Sequence, residues 1–434
     1  MMVTNFTRFT KMVKSMFDYQ VLSRVKLPIF FRYTLVAMIF VIYIDSIIYK
    51  RSFRYYEFSN DEIPKFLNSH ERIQGQMRSS IGDNMHLRLI KEEIQEVEDE
   101  NYKSLFPPLR VTERERIAWF RENMPKFHIF KSNNLTQLYH SRVVEFFDGG
   151  CEAKFFMTWI SPAGSFRRRE FFALESLFKA HPHGCLMILS RSLDSGRGYM
   201  IFKPLLDKGF GVNAVTPDLA ILFKNTPGEA WFEEMKSGNK DPGEIPLAQN
   251  LSNLMRLAIL YKYGGVYLDT DFIVLKSFTG LKNSIGAQSM DVGSKSWTRL
   301  NNAALIFDVD HPLLLKFMQE FALTFDGSKW GHNGPYLVSR VVETIRDKPG
   351  YNFTVLQPIA FYPVDWIKIG KFFKKPENGG DSKWVQTKLL QLSGKTYGVH
   401  LWNKQTRNMR IEEGSVMGRL ISEHCLICQH IYSS

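Results

Sequence analysis

An α/β fold with a parallel sheet is predicted for the 434-residue chain by three features. From Phe155 onward, short apolar runs of strand length alternate with helix-length segments, the pattern of βαβ units. A helix-period stretch over 248–263 passes through Gly264-Gly265 into an apolar strand, Val266-Tyr267-Leu268, ending in Asp269-Thr270-Asp271. The balance of 44% hydrophobic and 23% charged residues is that of a globular chain with enough apolar material for one large core.

Taken in order, residues 1–32 are basic and are expected to form a cytosolic tail. Tyr33 to Tyr49 is the one candidate membrane span; at 1.5 Å per residue it reaches about 25 Å, short but suited to a thin bilayer. Six Lys/Arg precede it and three follow closely, which places the N-terminus in the cytosol. We expect an uncleaved signal-anchor; a cleaved signal peptide and a buried core helix are the alternatives. Residues 50–150 are expected to form a stem and an N-terminal extension, with the acidic run KEEIQEVEDE as a solvated helix face and 111–150 open to either description. The domain proper is expected over 151–434. Strands are predicted at 155–160, 185–190, 210–215 and 302–307, with helices at 167–180, 199–208, 312–325 and from Pro335. Further strand-like runs are FTVLQP and YGVHLW.

The formal charge of +12 does not indicate nucleic acid. Residues 1–54 hold nine Lys/Arg against two acids, and the remainder is mixed in sign with no basic stripe. All four cysteines, Cys151, Cys185, Cys425 and Cys428, lie beyond the apolar segment, and in an oxidising compartment disulfides are expected of them, with the pairing open. A zinc site from Cys425, Cys428, His424 and His430 is the weaker alternative. Sequons at Asn134, Asn250 and Asn352 are compatible with a lumenal domain. The SGKT at 393–396 is not a P-loop, because Leu389 stands where the first glycine is needed.

Asp269 and Asp271 carry the chemistry. Carboxylates at i and i+2 on a strand project to one side, and at its carboxyl end they face the crevice where α/β sheets bind ligands. Two hard oxygen donors so close suit a divalent cation that leaves positions for phosphates. Arg256, on the preceding helix, is placed to pair with a phosphate or with an Asp. Tyr267 points opposite to Val266 and Leu268, as packing with some ligand contact. Trp159 follows the first strand, either as core or as a ring to stack on a base. GHNGP at 331–335 opens a helix with Pro335 in its first turn, and its glycines allow close backbone approach to a ligand.

GGVYLDTD, preceded by Asn253 and Arg256, resembles the DxD sugar-nucleotide region of the α1,4-glycosyltransferase family. The similarity runs from about Phe155 to Cys428 and takes in NNAALIFDVDHP, FDGSKWGHNGPYLVSRVV, AFYPVDW and YGVHLWNK. Many relatives have Asp where this chain has Asn253; the amide keeps the hydrogen bonding and loses the charge. The resemblance implies a GT-A type, Rossmann-like domain behind an N-terminal transmembrane helix and stem. It implies a type II Golgi membrane enzyme with a lumenal catalytic domain, moving a sugar, galactose first, from a UDP-sugar to a glycan or glycolipid, with Mn²⁺ or else Mg²⁺. It implies donor contacts at Trp159, Asn253, Arg256, Tyr267, Asp269 and Asn302, and metal ligation by Asp269, Asp271 and His400. His332 and Asn333 are then the candidate catalytic contacts to donor or acceptor sugar. No nucleophile is assigned. A non-catalytic sugar-nucleotide-binding or scaffold protein on the same fold is the competing reading. A hydrolase is disfavoured, since no separate acid and nucleophile carboxylate pair stands out.

Overall fold

The computed structural model describes residues 105–428 apart from 292 and 347. The expected tail, Tyr33–Tyr49 span and most of the expected stem therefore lie outside the described residues. Among the described residues no helix is long and apolar enough to cross a membrane.

Two helices of three turns, α1 (Glu113–Asn123) and α2 (Tyr139–Asp148), precede the sheet together with shorter helical turns. Thr112 and Glu115 form a capping box that satisfies first-turn amides of α1. Phe120, Tyr139, Val143 and Phe147 place this segment in the main core. The Arg142 guanidinium grips both carboxylate oxygens of Asp194 at 2.7 Å.

The strands and helices that follow are β1 (Lys154–Thr158), α3 (Arg168–Ala180), β2 (Cys185–Leu189), α4 (Gly196–Leu206), β3 (Gly211–Val215), α5 (Gly228–Lys236) and α6 (Leu247–Tyr263). Next come β4 (Gly265–Leu268), β5 (Phe272–Val274), β6 (Ser284–Met290), β7 (Trp297–Phe307), α7 (Pro312–Thr324), α8 (Pro335–Ile345) and β8 (Thr354–Leu356). The last are α9 (Gly379–Lys395), β9 (Gly398–His400) and α10 (Val416–His424).

Seven strands make one sheet in the order β3-β2-β1-β4-β7-β6-β8. β3, β2, β1 and β4 are parallel, as the alternation of strands and helices predicts. The parallel pattern does not extend to β7, which runs antiparallel to both β4 and β6. β7 is eleven residues long, five more than the NAALIF run, because its more polar first part, WTRLN, pairs with β6 through register shifts. A mixed strand with bulges carries little period-2 signal. A second sheet of two strands, β5 with β9, stands apart from the first.

Burial on both faces divides the core. Tyr267 belongs to one apolar cluster, while Val266 and Leu268 belong to another across the sheet. A third cluster packs the C-terminal elements against Phe172, Ala173 and Ile273. Disulfides join Cys151 to Cys185 and Cys425 to Cys428, so the zinc alternative does not hold in this structure.

Candidate active site

Gly264 and Gly265 let α6 turn directly into β4. Both have positive φ, +62° and +109°, and a Cβ on Gly265 would lie 2.5 Å from the Lys154 carbonyl oxygen of β1. The tight turn sets β4 parallel to β1, with Phe156 beside Tyr267, so both strands end at the same edge.

The Asp269-Thr270-Asp271 segment is not strand, as the i, i+2 argument assumed. β4 stops at Leu268, and the Phe272 N–H donates to the Asp269 carbonyl at 3.0 Å, closing a turn. The carboxylates converge by way of that turn, and the next three residues form β5. Because Phe272 pairs with His400 in the β5–β9 ladder, the turn also brings in a side chain 129 positions after Asp271. His400 Nε2 lies 3.2 Å from Asp271 Oδ1. One ligand atom each from Asp269, Asp271 and His400 falls within 4.8 Å of the others.

Each acid has its own support. The Asn403 N–H donates to Asp271 Oδ2 at 2.8 Å, and the Leu401 N–H to the Asp271 carbonyl at 2.9 Å. Burial pushes the Asp271 carboxyl up, but the charge and hydrogen bond of His400 and the Asn403 amide outweigh it and hold the carboxyl below its usual range. Burial likewise pushes His400 down, and the facing Asp271 charge overcomes it and raises the imidazole. Asp269 Oδ1 receives Arg256 Nη2 at 3.0 Å and the Tyr267 hydroxyl at 3.0 Å. Burial drives the Tyr267 phenol well up, so it stays a proton donor. Thr158 Oγ1 lies 2.8 Å from the Tyr267 hydroxyl and 2.6 Å from Ser252 Oγ. Arg256 also donates to the Asn302 carbonyl at 2.8 Å and stacks 4.5 Å over the Tyr267 ring. The carboxylate nearer the strand is thus fixed by a buried network, and the other by the C-terminal strand.

The residues present fit a divalent cation. Two carboxylates and an imidazole converge, and His400 Nδ1 is buried without a hydrogen-bond partner. A polar group left so is expensive unless something else occupies the site.

The remaining predicted residues fall into two groups. Trp159, with Pro162, Arg191, Ser192, Pro246 and Leu251, lines a cleft of about 110 Å³ where β1 and β2 end. Asn253 Oδ1 accepts from Asn302 Nδ2 at 2.9 Å, and Gly334 fits against both: a Cβ there would meet Asn253 Oδ1 at 2.9 Å. The GHNGP loop therefore touches the same helix as Arg256. Asn333, only 2% exposed, uses its amide inside the protein, donating to Asn250 Oδ1 and to the Asp326 carbonyl at 2.9 and 2.8 Å. His332 Nε2 bonds the Thr324 carbonyl at 2.7 Å. Both side chains use these atoms in contacts that shape the loop.

Sequence reasoning did not find Thr158, Ser252 or Asn403, whose polar atoms reach the site only through the fold. Asn403 lies inside the YGVHLWNK motif, so the motif was the available signal. Glu170, in the first turn of α3, also went unnoticed; burial, with the Asp271 charge adding, raises its carboxyl above the usual range.

Two family models match the chain: "Glycosyltransferase sugar-binding region containing DXD motif" over residues 167–291 and "Alpha 1,4-glycosyltransferase conserved region" over 306–432. The first contains Asp269 and Asp271, the second His400. Lactosylceramide 4-alpha-galactosyltransferase of Mus musculus is 33% identical over 267 residues, 58% of this chain and 68% of that protein. The chain belongs to the α1,4-glycosyltransferase family. Another similar member, the Alpha-1,4-N-acetylglucosaminyltransferase of Homo sapiens, is 26% identical over 220 residues, 48% of this chain and 58% of that one. A solved structure, PaToxG glycosyltransferase, aligns at a TM-score of 0.33 with 16% identity over 70% of this chain and 96% of that one. As a glycosyltransferase of this family, the protein has the cluster of Asp269, Asp271 and His400 split between the two family regions and assembled by the β5–β9 pairing.

Proposed function

We propose that the protein moves galactose from a UDP-sugar to a glycan or glycolipid acceptor with retention of configuration, on a GT-A type domain. The convergence of Asp269, Asp271 and His400 at the carboxyl end of β4 carries this reading. A divalent cation, Mn²⁺ in the first place, supplies charge neutralisation for the diphosphate leaving group when bound. Asp271 and His400 hold it, with Asp269 completing the set. Arg256 and Tyr267 fix the Asp269 carboxylate, so its orientation is set before donor arrives. The cleft beside Trp159 takes the base, and Asn253 and Asn302 face the donor sugar from α6 and β7. His332 and Asn333 set the loop that closes over the sugars. Galactose is preferred because relatives at 33% identity are named for it, with N-acetylglucosamine next, named in a relative at 26%. We further propose a type II Golgi membrane protein, anchored by Tyr33–Tyr49, with this domain lumenal.

The test is turnover by the full-length protein with a panel of UDP-sugars and lactose-terminated acceptors, with Mn²⁺ and with EDTA. Acceptor-dependent transfer that stops in EDTA and returns with Mn²⁺ is expected. Full activity in chelator would overturn the metal assignment. Binding of a UDP-sugar without transfer to any acceptor would give the site to a non-catalytic binder, and sugar release without acceptor to a hydrolase.

A further inference from the structure

Two surface segments, 365–375 and 403–412, pack together next to the cation cluster. The Glu412 N–H donates to the Phe373 carbonyl at 3.0 Å, Lys374 pairs with Glu412 at 3.0 Å, and a Cβ on Gly370 would lie 3.1 Å from Met409 Cε. Both are tied to the site. The Asn403 N–H holds Asp271, and Trp402 Nε1, two residues beyond His400, donates to the Val364 carbonyl at 3.1 Å.

These segments hold seven Lys/Arg, among them Lys368, Lys371, Lys375, Arg407 and Arg410, against two acids, Asp365 and Glu412. Within this cationic ground three large apolar side chains face solvent: Trp366 at 46%, Ile367 at 73% and Met409 at 37% exposure. The Asp365 carboxylate accepts the Ile367 and Lys368 amides at 3.0 and 2.7 Å, which turns the chain so that Trp366 and Ile367 stand out side by side. An isolated exposed leucine, such as Leu323 on α7, is ordinary on a protein surface; adjacent exposed apolar residues on segments this rich in cations are not.

We propose that this patch rests on an anionic lipid surface, with Trp366 and Ile367 entering the headgroup boundary and the surrounding Lys and Arg facing lipid phosphates. Charge complementarity selects the lipid sign, and an indole beside an aliphatic chain is suited to the membrane–water boundary. A polyanionic glycan would use the cations and leave Ile367 in water, so the apolar tip favours the bilayer. The patch then keeps the mouth of the site close to the membrane plane.

The readout is the depth of one side chain and does not depend on turnover. All four natural cysteines are paired in disulfides, so an Ile367→Cys variant takes a single environment-sensitive fluorophore, with Leu323→Cys as the comparison. The full-length chain is reconstituted into phosphatidylcholine vesicles with and without phosphatidylserine, and quenching by spin-labelled lipid is measured. Quenching several-fold stronger at position 367 than at 323, dependent on phosphatidylserine and lost when Lys368→Glu and Arg407→Glu are added, is expected. Equal quenching at the two positions, or quenching indifferent to phosphatidylserine, would overturn the proposal. So would a probe at 367 that stays in water while a sulfated glycan binds the patch.

Discussion

Asp271 and His400 form a buried pair in which each partner moves the other's proton affinity. Substituting Asp271→Asn removes the charge and keeps the shape. Mn²⁺ binding by calorimetry is expected to be lost, and kcat/KM to fall by several orders of magnitude, while the far-ultraviolet circular dichroism stays unchanged. The pH dependence follows from the shift directions. His400 is raised by Asp271, so in the metal-free protein it holds its proton above the ordinary value of about 6.5. A cation must displace that proton. Mn²⁺ affinity is therefore expected to weaken as pH falls, beginning above about 6.5, and the slope to flatten in His400→Ala. The same pair affects stability. The contribution of Asp271, whose carboxyl is lowered, is present above its unfolded pKa of about 4 and lost as pH falls through its folded value. That of His400 is present below about 6.5 and lost as pH rises through its raised value. Melting of EDTA-treated protein across pH is expected to show the pair's largest effect between about 4 and 6.5.

At the scale of elements, the α6–β4 junction and the β5–β9 pairing do the positioning. Gly265→Ala puts a Cβ against the Lys154 carbonyl at a positive φ, so strain and a displaced β1–β4 pairing add. A loss of about 1–3 kcal/mol is expected, read as a fall of several degrees in melting temperature. An unchanged melt would mean that the turn is not under the constraint described.

At the scale of the molecule, the two disulfides differ in what they close. Cys151–Cys185 spans 34 residues and Cys425–Cys428 only 3. Loop-closure entropy gives the first about 3–4 kcal/mol and much less to the second. Replacing Cys151 and Cys185 by Ser together is expected to lower the urea midpoint far more than the same change at Cys425 and Cys428. Equal effects would mean that the short loop's packing, where the amides of residues 426–428 converge on the buried Glu175 carboxylate, carries comparable weight. The proposed topology is tested on intact microsomes. Added protease is expected to trim only the short N-terminal tail, and digestion of the domain carrying Asp271 would reverse the orientation.

The sequence by itself determined the parallel half of the sheet, the helices around it, the acid pair and the family. Those signals are local: β1 to β4 are short apolar runs between helices, and Gly264-Gly265 before an apolar strand marks a tight turn wherever it stands. Tyr267 was legible for the same reason, since strand alternation assigns it a face before any contact is known. His400 was legible only through a motif, because a lone histidine in an apolar run has no period of its own. Tertiary structure decided the rest. It reversed β7, whose polar half hides its strand pattern, and converted the i, i+2 strand argument into a turn closed at Phe272. It paired Cys151 with Cys185, and spent the Asn333 amide on Asn250 of α6 and the Asp326 carbonyl. It also joined Thr158, Ser252, Tyr267 and Arg256 into the network that holds Asp269. Hydrogen bonds between residues about a hundred positions apart leave no periodicity in the chain, so only the folded backbone discloses them.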